Sequence, residues 1–76
     1  MYKAIVFAGT TEGYEISRFL SENKVSVLAC VATEYGSRSL EENEFLSIRA
    51  ERLDKEQMQE LFAAERPELV LDATHP

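Results

Sequence analysis

The strongest constraint on this chain is the alternation of four short apolar runs, Lys3 to Ala8, Val25 to Ala32, Leu46 to Ala50 and Leu69 to Ala73, with segments of helical character. Strands separated by helices form parallel βαβ units. The first, second and fourth runs are almost continuously apolar, as expected of strands covered by helices on both faces. In the third, Leu46, Ile48 and Ala50 alternate with Ser47, Arg49 and Glu51, which predicts an edge strand. Right-handed crossovers then favour the spatial order 3-2-1-4, the first half of a doubly wound nucleotide-binding sheet. The predicted fold class is α/β, a Rossmann-like three-layer sandwich with a parallel sheet.

The first helix is predicted from about Glu12 to Asn23 with Thr11 as its N-cap, and Ile16, Phe19 and Leu20 have the i, i+3, i+4 spacing of one buried stripe. Another helix begins after Asp54, an N-cap with Gln57 three residues on. It turns Met58, Leu61 and Phe62 inward, leaves Lys55, Glu56 and Glu60 in solvent, and stops at Pro67. Between Gly36 and Glu44 the pattern supports at best a short helix. The sequence ends at Pro76, shortly after the fourth strand, where a doubly wound domain forms its next loop and helix. In the 3-2-1-4 order a fifth strand normally flanks the fourth. Leu69, Val70 and Leu71 are therefore expected to present an unpaired apolar edge lacking one covering helix, and the chain to be a fragment truncated after its fourth strand. Such an edge also predicts self-association.

Size and charge narrow the function classes. A chain of 76 residues makes at most one small domain of marginal stability. With 45% hydrophobic and 29% charged residues and no repeat, it has the composition of an ordinary globular protein rather than a disordered one. Acidic residues outnumber basic ones 14 to 8, and the basic ones are scattered, which argues against a nucleic-acid or anionic-membrane surface. A single cysteine, Cys30, excludes an intramolecular disulfide and reads as a small buried side chain; with one histidine there is no zinc-type ligand set. No run approaches a membrane span or a signal peptide, so the expected compartment is the cytoplasm.

The chemistry concentrates where the first run meets the first helix, in Ala8-Gly9-Thr10-Thr11-Glu12-Gly13. Amides of a first helical turn have no partner within the helix, and the dipole favours an anion there. The backbone amides and the Thr10 and Thr11 hydroxyls thus offer donors to a pyrophosphate, and Gly13 lets the helix approach the sheet. The letters depart from G-x-G-x-x-G, because Ala8 and Thr10 stand at its first two glycine positions. A plain strand-to-helix turn is the competing reading, and Glu12 opposes a phosphate at the same helix end unless it points aside. No Gly-Lys-Ser/Thr follows, which excludes a P-loop. The acids that a phosphoacceptor receiver domain needs after its first strand are missing as well.

Two further segments belong at the same end of the sheet. After the second run, Thr33 and Arg38 suit the 2′-phosphate of NADPH, whereas an inward Glu34 suits NADH; Tyr35 and Gly36 also read as a simple turn. After the fourth run, Asp72 reads as a loop anchor. His75 reads as a hydrogen-bond or proton donor near neutral pH, or else as a frayed terminal residue.

Together, Ala8-Gly9-Thr10-Thr11-Glu12-Gly13, Ala32-Thr33-Glu34-Tyr35-Gly36 and Leu71-Asp72-Ala73-Thr74-His75-Pro76, with Arg52-Leu53-Asp54 ahead of the last helix, resemble the precorrin-6A reductase family over the whole chain. The resemblance implies a pyridine-nucleotide-dependent reductase of corrin-ring synthesis that transfers a hydride from NADPH or NADH to the tetrapyrrole precorrin-6A or its cobalt form. Proteins of the family have two α/β halves with the substrate between them. Residues 1–76 would then form the first part of the cofactor-binding half, silent in catalysis alone. Gly9, Thr10, Thr11, Glu12 and Gly13 would lie on the pyrophosphate, with Thr33, Glu34, Tyr35, Gly36 and Arg38 near the adenosine ribose. Thr74 and His75 would face the nicotinamide or the macrocycle. Ala8 replaces a glycine usual in the family and adds only a methyl. No residue is assigned as the catalytic proton donor. The alternatives are a non-catalytic nucleotide-binding module and another Rossmann-type reductase or epimerase whose serine–tyrosine–lysine set would lie beyond this chain.

Overall fold

The computed structural model describes residues 2–9, 11–31, 41–50 and 53–73. The elements in chain order are β1 (Ala4–Ala8), α1 (Thr11–Glu22), β2 (Val27–Val31), β3 (Leu46–Ala50), α2 (Lys55–Glu65) and β4 (Leu69–Ala73). The four strands form one sheet in the order β3-β2-β1-β4, with every neighbouring pair parallel. This is the order the crossover argument predicts. Of the proposed short helix between Gly36 and Glu44, residues 41–44 are non-helical and the rest lies outside the described residues.

The pleat divides the core into two layers. Ala4, Val6, Ala8, Val27, Ala29, Val31 and Leu46 face α1, and Tyr14, Ile16, Leu20, Ile48 and Leu71 pack around them. Ile5, Leu28 and Cys30 face the other way, onto Leu53 and Leu61, with Met58 and Phe62 half-buried beside them. The Phe7 and Phe62 rings meet edge to face at 6.1 Å. β2, flanked by two strands and covered on both faces, is buried along its whole length, and Cys30 lies within it as a small buried side chain. β4 departs from that pattern although, Asp72 aside, its sequence is also apolar. Leu69 and Val70 are 43% and 45% exposed, because the strand has a neighbour on one side only. Of the two expectations for this run, cover on both faces and an uncovered edge, the second holds.

α1 contradicts one expectation. Phe19 is 62% exposed, not part of the buried stripe. The line of closest approach to the sheet is instead Gly13, Ser17 and Ser21, at i, i+4 and i+8, with Ile16 and Leu20 on its flank. Small residues let the helix axis approach the strands, and their hydroxyls are satisfied within the helix: Ser17 Oγ donates to the Gly13 carbonyl at 2.8 Å and Ser21 Oγ to Arg18 at 2.9 Å. Rotating the helix to bury small residues carries Phe19 outward. The helix ends in a Schellman arrangement, with Lys24 left-handed at φ 61°, its amide donating to Ser21 and that of Val25 to Leu20.

α2 follows its sequence closely. The Gln57 amide donates to Asp54 Oδ1 at 2.8 Å and the Asp54 amide to Gln57 Oε1 at 2.9 Å, a complete capping box. Leu53 ahead of the cap and Met58 in the first turn join the same apolar cluster, the arrangement of a hydrophobic staple. Lys55, Glu56 and Glu60 are exposed. The helix ends at Arg66, left-handed at φ 46°, with Pro67 next to block continuation.

Candidate functional site

In an all-parallel sheet the carboxyl ends of the strands share one edge, and ligands of open α/β sheets bind there, at the point where chain order reverses. In the order β3-β2-β1-β4 that point lies between β1 and β4. The glycine loop leaves β1 at this place and enters α1, so the N-terminus of a 12-residue helix lies at this edge of the sheet. Its first-turn amides point out of that end, where the dipole favours an anion.

The close approach that such a site requires is built from three small residues. A Cβ placed on Gly13 would stand 2.9 Å from Ala8 Cα and 3.0 Å from the Cβ atoms of both Ala8 and Ala73. Real side chains do not tolerate those separations, so only glycine lets α1 sit at this height over β1 and β4. Gly13 therefore performs the packing role of the last glycine in a dinucleotide fingerprint. No glycine among the described residues has a positive φ, so Gly13 is required for closeness and not for an unusual backbone conformation.

Gly9 is held differently. Its amide donates to the Ala73 carbonyl at 3.0 Å, adding a bond beyond the Ala8↔Ala73 register of the β1–β4 ladder. That amide is therefore committed to β4. Thr11 is already the first helical residue, one position earlier than predicted, so it lies within α1 and is not its N-cap. Thr11 and Glu12 are both exposed. Glu12 lines an open groove on the outer flank of α1 with Glu15, Ile16 and Phe19.

Gly9 and Gly13 thus both meet Ala73 at the switch point, Thr11 opens α1 beside them, and Glu12 lies on the outer flank of the helix. Thr10, Thr33, Glu34, Tyr35, Gly36, Arg38, Thr74 and His75 lie outside the described residues. Val31 and Ala73, the residues from which the last two segments depart, end β2 and β4 at the same carboxyl edge. Sequence reasoning missed two features. Ala73 contacts the loop at both ends, and its signal was the alanine closing both the first and fourth runs. Ser17 and Ser21 form the helix contact line, and their signal was the spacing Gly-x3-Ser-x3-Ser. No helix of the described residues is long and apolar enough to cross a membrane, and no group of three or more His, Cys, Asp or Glu among them gathers as for a metal.

A protein-family model described as precorrin-6x reductase CbiJ/CobK matches residues 3–76. No curated protein and no solved structure matches the chain significantly. The family match spans the glycine loop, both helices and all four strands, the same stretch over which the sequence blocks resemble the precorrin-6A reductases. On that match, and with a parallel 3-2-1-4 sheet whose glycine loop opens a helix at the switch point, the chain belongs to the precorrin-6x reductase family.

Proposed function

We propose that the chain supplies the dinucleotide-binding segment of an NAD(P)H-dependent reductase that reduces a bond of the precorrin-6A macrocycle, or of its cobalt form, in cytoplasmic cobalamin biosynthesis. The observation that carries the reading is the contact of Gly13 with Ala8 and Ala73, which seats the N-terminus of α1 at the sheet's switch point. A helix held there by small residues fits a pyrophosphate. A bound nicotinamide supplies the hydride, and the protein's part is to bind and orient it. The amides of the first turn and the Thr10 and Thr11 hydroxyls take the pyrophosphate oxygens. Thr33 and Arg38 favour the 2′-phosphate of NADPH over NADH, against the opposing charge of Glu34; Tyr35 and Gly36 shape the adenosine side. Thr74 and His75, following β4, face the nicotinamide or the macrocycle. The exposed flank of β4 leaves room for a further strand of the same sheet, as a larger cofactor-binding half would have.

Calorimetric titration with NADPH, NADH and inorganic pyrophosphate tests this. Saturable binding with NADPH tightest is expected. A preference for NADH transfers the ribose contact to Glu34, and no affinity for either nucleotide in a folded sample rejects the cofactor reading.

A further inference from the structure

We infer that Ala73 is a positioning residue for the phosphate loop, setting the height and direction of the α1 N-terminus from the last residue of β4. Two separate contacts carry this. The Ala73 carbonyl accepts the Gly9 amide at 3.0 Å, fixing the start of the loop. The Ala73 methyl stands 3.0 Å from where a Cβ on Gly13 would be, fixing its end. One residue of a different strand therefore holds the loop on both sides, and register sets it opposite Ala8, the last residue of β1. The side chain at position 73 faces α1 across this contact, so its size decides how far the helix stands off the sheet. A larger group tilts the first turn outward and moves the amides that the proposed cofactor reading needs. The inference rests on that reading for its consequence in binding, but its effect on the loop is independent of any ligand.

The test substitutes Ala73→Val and Ala73→Gly and measures NADPH affinity by fluorescence, thermal unfolding by circular dichroism, and amide shifts without nucleotide. Valine is favoured in strands, so a loss of binding would not come from strand propensity. Ala73→Val is expected to weaken NADPH about tenfold while leaving the protein folded, as small misplacements of binding groups do. Ala73→Gly, which adds no bulk, is expected to bind within about threefold of wild type, well short of the loss from misplaced groups. The Ala73→Val amide shifts should centre on Gly9 and Gly13. If valine prevents folding, Ala73→Ser takes its place, with a smaller loss in the same direction. Wild-type affinity in a folded Ala73→Val or Ala73→Ser protein, with unmoved Gly9 and Gly13 amides, overturns the inference. If wild type itself binds no nucleotide, the cofactor reading fails; the ligand-free shifts of Gly9 and Gly13 then decide the positioning role by themselves.

Discussion

At the scale of the residue, Gly13 carries the most consequence per atom. Adding one methyl there brings it to 2.9 Å from backbone, at Ala8 Cα, which cannot swing away as a flexible side chain would. Gly13→Ala is expected to destabilise the domain by about 1–3 kcal/mol, the usual range for overpacking, despite the better helix propensity of alanine. Urea unfolding checks it; unchanged or increased stability would mean that α1 is free to lift. Phe19 makes the opposite prediction. At 62% exposure, Phe19→Ser should cost less than about 1 kcal/mol, whereas a core phenylalanine would cost about 3–5. These two residues show what the sequence reveals at this scale. A glycine at a strand-to-helix junction announces close packing, because few other jobs need it there. The periodicity of Ile16, Phe19 and Leu20 misled because it weighs apolar residues alone, while this helix meets the sheet through Gly13, Ser17 and Ser21. A hydroxyl that bonds to its own helix, as Ser17 does to Gly13, buries at little cost and escapes a hydropathy pattern.

At the scale of the element, strands and caps were the most legible parts. β3 and β4 coincide with their predicted bounds, and α2 starts after its predicted cap. The capping box is readable because it depends on two side chains at fixed spacing and on nothing distant. Asp54→Ala is expected to cost about 1 kcal/mol, as loss of an N-cap does, and to fray the first turn of α2. Thermal unfolding with amide exchange at Gln57 and Met58 checks it, and a loss below the error would mean that the Leu53–Met58 side of the cap suffices. The start of α1 was less legible: it begins at Thr11, one residue earlier than read, so the residue taken as its cap is part of the helix. The bond from Gly9 to Ala73 had no local signal. It joins residues 9 and 73, and only the register of β1 against β4 brings them together.

At the scale of the whole molecule, strand order follows from crossover handedness and the alternation of β3, and both were present in the sequence. So was the exposed flank. Leu69 and Val70 stand at 43% and 45% exposure on a strand with one neighbour, an arrangement that invites further pairing. The chain is expected to self-associate through β4, with a sedimentation coefficient that rises with concentration. Val70→Lys, which puts a charge on that strand, should return it to monomer. A strict monomer at all concentrations, or association unaffected by Val70→Lys, would place the contact elsewhere or nowhere. The candidate site was legible in its loop but not in its geometry, because the arrangement depends on Ala73 arriving from the far end of the chain.

The proposed seat of the nicotinamide dinucleotide's pyrophosphate on the glycine loop is tested most directly by the change in backbone amide NMR shifts on titrating the folded chain with NADPH, then NADH and ADP-ribose. Shifts centred on Gly9 to Gly13, with a second group between Thr33 and Arg38, are the predicted result. Shifts scattered over the surface, or none in a chain shown to be folded, would contradict the claim and leave the loop as a strand-to-helix turn.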